Sequence, residues 1–109
     1  MADIYSFIQE SSRNESLIVT NASREIANAR QFAEMPRKVI TVRNIADDPT
    51  KIITVNMGAN PATNNNGIVL RQFESFTDSS DGDYLPWQGT ITAICAVASA
   101  TVDLAIFER

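Results

Sequence analysis

The sequence predicts an all-β protein: a compact antiparallel β-sandwich, small jelly-roll or immunoglobulin-like, with an N-terminal arm. Three observations predict it. Short runs rich in Val, Ile and Thr alternate apolar and polar residues with period two. Clusters of Asn, Asp, Gly, Pro and Ser punctuate them at spacings of roughly ten residues, the rhythm of a sandwich or small barrel. The sequence ends on PWQGTITAICAVASATVDLAIFER, two apolar strands whose second faces are also partly apolar. A strand dry on both faces needs a cover on each, supplied by another sheet or another protein.

The elements follow in order. Residues 1–15 read as an arm, because Ile4, Tyr5, Phe7 and Ile8 gather apolar area in a segment too short to fold alone. Residues 16–109 form one domain. SLIVT (Ser16–Thr20) is a short strand. SREIANARQFAEM (Ser23–Met35) has helix-favouring residues but only a weak apolar stripe, so it reads as strand and loop, ended by Pro36. KVITVRNI (Lys38–Ile45) alternates cleanly, DDPT is a turn, and KIITVNMG (Lys51–Gly58) reads as the partner strand. ANPATNNNG is a loop. IVLRQF and ESFTD are short strands around a bend, and SSDGDYLP is a second polar loop before the closing hairpin. The core is expected from Val42, Val55, Leu70, Ile91, Val102, Leu104 and Ile106, with Phe107 on the second face of the last strand.

Composition narrows the function. At 109 residues with a net charge of −4, and with its Lys and Arg scattered, the protein lacks the basic stripe that nucleic-acid binding requires. No apolar run approaches a membrane span. The N-terminus has no basic lead-in to an apolar segment, so it does not read as a secretion signal, and the protein is expected to be made in the cytoplasm. The lone Cys95 reads as a small buried hydrophobe. There is no His, the commonest general base and metal ligand. No nucleophile elbow, phosphate loop or Cys/His metal spacing is present, and no cofactor is expected.

Asp78, Asp81 and Asp83 around Gly82 have oxygen ligands of the kind Ca²⁺ takes, but their spacing fits no helix-loop-helix calcium site, and a solvated turn accounts for them better. Trp87 and Tyr84 beside polar loops offer rings for stacking on a sugar. Such amphipathic aromatics more often seal a core edge or an interface.

From Pro36 to Glu108 the order of elements follows a pattern. Arg37-Lys38 leads into a strand ending Arg43-Asn44, then a strand ends in Gly58. Gly67-Ile68-Val69-Leu70 precedes a bend, an Asp-rich loop follows, and Trp87-Gln88-Gly89-Thr90-Ile91-Thr92-Ala93-Ile94 leads to a last alternating strand. Over about two-thirds of the sequence this resembles a recurring family of small proteins encoded among tailed-phage structural genes. In that family the bend after Leu70 is usually Pro-Gly; here it is Arg71-Gln72-Phe73. The resemblance implies a virion component, associated with capsid or fibre, and not an enzyme.

The expectation is a non-enzymatic phage structural protein, a capsid decoration, minor capsid or fibre-associated component assembled in the host cytoplasm. It would pack on major capsid or other virion proteins and on its own copies, without nucleic acid or membrane. The contact residues are Ile4, Tyr5, Phe7 and Ile8 of the arm with Phe73, Trp87 and Phe107. The alternative is a glycan-binding module of the particle that uses the Asn-rich and Asp-rich loops with Trp87.

Overall fold

A computed structural model describes residues 13–29, 36–58, 60–99 and 101–109. The arm residues Ile4, Tyr5, Phe7 and Ile8 lie outside the described residues. Among the described residues there are eight strands: β1 (Arg13–Leu17), β2 (Arg24–Ala27), β3 (Val39–Asn44), β4 (Ile53–Met57), β5 (Ile68–Leu70), β6 (Ser75–Ser79), β7 (Ile91–Cys95) and β8 (Leu104–Glu108). Strand β1 opens at Arg13, three residues inside the segment that the sequence assigns to the arm.

The strands form two antiparallel four-stranded sheets, ordered β1-β8-β3-β6 and β2-β7-β4-β5. First pairs with last, second with seventh, third with sixth and fourth with fifth. That nesting is a long antiparallel ribbon folded over on itself, the winding of a jelly roll. The β4–β5 connection alone stays within one sheet; every other consecutive pair crosses between sheets.

Two sequence expectations are corrected by this winding. The strand after DDPT is not the partner of β3, which pairs with β6 and β8 while β4 pairs with β5 and β7. The closing strands likewise form no hairpin, since β7 and β8 lie in opposite sheets. Asp48-Pro49 does turn the backbone: the Lys51 amide donates to Asp48 O at 3.1 Å, and Thr50 donates its amide and hydroxyl to Asp48 Oδ1, both at 2.9 Å. The turn carries the backbone over to the other sheet.

Inward parity fills the space between the sheets with Ile40 and Val42 of β3, Ile53 and Val55 of β4, and Leu104 and Ile106 of β8, joined by Ile91, Ala93 and Cys95 of β7. Val102, expected in the core, is instead 46% exposed, because β8 begins only at Leu104 and Val102 belongs to the connection before it.

The outer faces differ. All five residues of β7 are buried. The cover over its outer face is the protein's own 60–67 segment. Thr92 donates its hydroxyl to Asn60 O at 3.2 Å, and Asn56 Nδ2 donates to the same oxygen at 2.9 Å. Farther along, the Ala62 amide donates to Ser23 Oγ at 2.8 Å and the Asn65 amide to Thr54 Oγ1 at 3.1 Å. Thr54 pairs with Ile94, and Ser23 stands one residue before β2 on the other side of β7. The segment therefore passes over Ile94, which is 9% exposed. On β7 the second apolar face is thus covered from within the protein.

Candidate functional site

The end of the sandwich where β3 begins and β8 ends is organised around one side chain. Arg37, two residues before β3, is completely buried. Its Nε donates to Glu108 Oε2 at 2.6 Å, its Nη2 to Asn28 O at 2.8 Å, and its Nη1 to Gly89 O at 3.2 Å and to Trp87 O. The planar guanidinium fork is suited to this, with five donors in fixed directions. Glu108 also faces Arg13, whose Nε lies 3.3 Å from Oε1. Gln88 completes the clamp: its Oε1 accepts from the Arg37 amide at 2.6 Å, and its Nε2 donates to Arg37 O at 2.8 Å and Pro86 O at 2.7 Å. One arginine thus ties together the segment leaving β2, the 86–89 segment and the last strand. Removing either member of a buried ion pair leaves an uncompensated charge, at a cost of about 3–5 kcal/mol.

This clamp holds Trp87 in place. Its backbone oxygen is on Arg37, and its indole Nε1 donates to Thr90 O at 2.9 Å. The ring lies over Gly89, where a Cβ would collide with the indole atoms. Trp87 nonetheless remains 44% exposed. With its one polar atom satisfied internally, what it offers outward is apolar ring surface.

Beside it, Asp81 and Tyr84 close a two-residue turn through backbone hydrogen bonds of 3.1 and 2.9 Å, with Gly82 at the positive φ of 59° that such a turn asks of its first central residue. The Tyr84 hydroxyl donates to Asp78, 2.8 and 2.7 Å from its two carboxylate oxygens. That bond, helped by desolvation and the nearby negative charge, pushes the phenol above its ordinary value. The Asp78–Asp83 segment is thus a hairpin turn with one carboxylate committed to Tyr84.

The opposite end has its own polar fastening. Buried Asn44 donates Nδ2 to Lys51 O at 2.8 Å and Leu70 O at 2.9 Å, and its Oδ1 accepts from the Ala46 amide at 2.9 Å. Buried Asp103 takes Thr101 Oγ1 at 3.1 Å, Ser99 Oγ, and Lys51 Nζ at 3.5 Å. Desolvation alone lowers the Lys51 ammonium, but the hydrogen bond to Asp47 and the charges of Asp103 and Asp47 outweigh it, and the net shift is upward.

The sequence-predicted contact residues are not gathered in one place. Trp87 is at the Arg37 end. Phe73 is at the Asn44 end, 57% exposed, its amide donating to Asn44 O at 2.8 Å. Phe107 is half-buried on the outer face of the first sheet, opposite Asn14 and Thr41. Sequence reading missed Arg37, Asn44, Asp103 and Glu108 as buried groups. For two of them a signal exists: Asn44 continues the inward parity of Ile40 and Val42, and Glu108 that of Leu104 and Ile106. A polar residue at core parity at a strand end marks a buried polar fastening. Comparison with known proteins adds nothing to this geometry, since no family model, curated protein or solved structure matches the sequence.

Proposed function

We propose that this protein is a non-enzymatic structural component of a phage particle, a capsid decoration, minor capsid or fibre-associated protein that packs on virion proteins and on its own copies. The observation that carries this reading is where the exposed apolar side chains sit. Ile18, Phe73, Val97 and Val102 project at the Asn44 end, and Tyr84, Leu85 and Trp87 at the Arg37 end. These large apolar side chains, left exposed at the two ends of the sandwich, are the surface this reading offers to neighbouring virion proteins. Each Å² they bury against a neighbour contributes about 25 cal/mol. The resemblance of the Pro36–Glu108 pattern to small phage structural proteins is the other ground on which this reading rests. Its test is recovery of the protein in fixed copy number with particles purified on a density gradient. Recovery only in the soluble fraction overturns it.

The geometry of Trp87 favours a second reading, a glycan-binding module. An indole with its N–H satisfied internally and a ring surface open to solvent is a platform for a sugar ring. Trp87 is the one tryptophan in the sequence, so its fluorescence reports the site alone. Saturable quenching by a sugar supports this reading, and a flat titration across sugar classes removes it.

A further inference from the structure

The connection that covers the second sheet contains a chemically unstable bond. Of the asparagines in the sequence, Asn66 alone is followed by glycine. It closes a turn, its amide donating to Thr63 O at 3.2 Å, and Asn65 takes a φ of 64° at the turn's third position. The Asn66 side chain is exposed and makes no hydrogen bond among the described residues. Gly67 follows with φ 144° and has no Cβ to shield its nitrogen.

We propose that Asn66–Gly67 is a self-modification site that converts to aspartate and isoaspartate and thereby releases the cover over β7. The Gly67 backbone nitrogen attacks Asn66 Cγ. A bond forms between that nitrogen and Cγ, the bond between Cγ and Nδ2 breaks, and ammonia leaves with the proton that the Gly67 nitrogen gives up. Water then opens the resulting succinimide at either carbonyl. Either opening frees a carboxylate and adds a negative charge; one gives aspartate, the other isoaspartate, whose backbone runs through the former side-chain atoms and is longer by one methylene. The net change is one asparagine and one water to one acid and one ammonia, with no other reactant.

The consequence follows from the packing. A Cβ placed on Gly67 would lie 2.5 Å from the backbone oxygen of Val55, so the backbone passes β4 with no room to spare. Two residues earlier, the Asn65 amide is fastened to Thr54 Oγ1. An extra methylene between these two points cannot be absorbed in place, so the turn lifts from Thr54 and uncovers the neighbouring Ile94. Conversion therefore exposes, with time, an outer sheet face that the newly made protein keeps covered.

The experiment incubates the full-length protein in mildly alkaline buffer and follows residue 66 by peptide mapping, with enzymatic methylation to count isoaspartate. The same protein unfolded in denaturant and the Asn66→Gln variant run alongside. The expected result is a mass gain confined to the peptide holding residue 66, present in the native protein and absent from Asn66→Gln. The isoaspartate fraction should also show amide exchange at Asn65 many times faster than in unconverted protein. If Asn66 keeps its amide in the native protein while the unfolded protein converts, the site is not self-modifying. If the isoaspartate fraction keeps the Asn65 amide protected, release of the cover is overturned.

Discussion

Phe73 occupies the third position of the Arg71–Glu74 turn, closed by the Glu74 amide on Arg71 O at 2.9 Å, and its φ is 64°. That is the place glycine holds in a Pro-Gly turn, and an L-residue there costs about 1–2 kcal/mol. Asparagine tolerates the left-handed region without the entropy that glycine loses. The Phe73→Asn variant should therefore be more stable by about 1 kcal/mol in urea titration, with an unchanged slope. A loss of stability would mean the exposed ring holds the turn. Tyr84 gives a pH-dependent prediction. Its phenol is held above the ordinary value by donating to Asp78, so the bond's contribution is complete below the unfolded phenol value and is lost as pH rises through the folded one. Melting temperature should fall across that alkaline window in the native protein and fall less in Tyr84→Phe. Equal slopes would show that the bond adds nothing. Asp48 acts at the other limb: the Thr50 amide, then the Thr50 hydroxyl, lower its carboxyl, so its contribution disappears as pH falls through that lowered value.

Strand β1 is the element whose extent matters most, because it is an edge strand fastened at both ends. Leu17 faces Leu104 in register, and Leu17 O accepts the Asp103 amide at 3.0 Å. At its start Arg13 reaches Glu108 and, through Nη2, Ile26 O at 3.0 Å. A protein beginning at Arg13 should retain a β-type circular dichroism spectrum and a cooperative melt. One beginning at Ser16 loses three of the five paired residues and the second arginine on buried Glu108, and should melt well below it. Equal melting temperatures for the two would show that β1 is dispensable. The other edge of that sheet, β6, alternates between exposed and half-buried along its length. β7, covered on both faces and paired on both sides, should hold the slowest-exchanging amides.

At the scale of the molecule, the nested pairing makes the fold non-local. β1 meets β8 and β2 meets β7, so the first half of the sequence waits for the last strands before its sheets can close. Loop closure must precede the contacts that reward it, which places folding in the millisecond-to-second range typical of such topologies. Stopped-flow refolding monitored by Trp87 checks this, and a microsecond phase carrying the full amplitude would contradict it. The two polar clamps sit at opposite ends of the sandwich, Arg37 with Glu108 at one and Asn44 with Asp103 at the other. Each joins segments from distant parts of the sequence, and between them they pin the register of both sheets.

Local chemistry in the sequence was enough to place β3, β4, β7 and β8 to within a few residues, to mark the turns at Asp48, Asn65 and Gly82, and to settle the all-β class. Period-two alternation and turn residues act over a few positions, and a single sequence displays them. Partnership was decided only in the tertiary structure. Alternation states that one face of a strand is dry, not which strand lies beside it, so DDPT reads equally as a hairpin turn or as the crossover it is. Likewise the apolar residues on both faces of β7 required a cover, but only the folded protein shows that its own 60–67 segment supplies it. Arg37 gave no local sign of burial, because the carbonyls and carboxylate that receive it come from residues 28, 87, 89 and 108, which folding alone brings together.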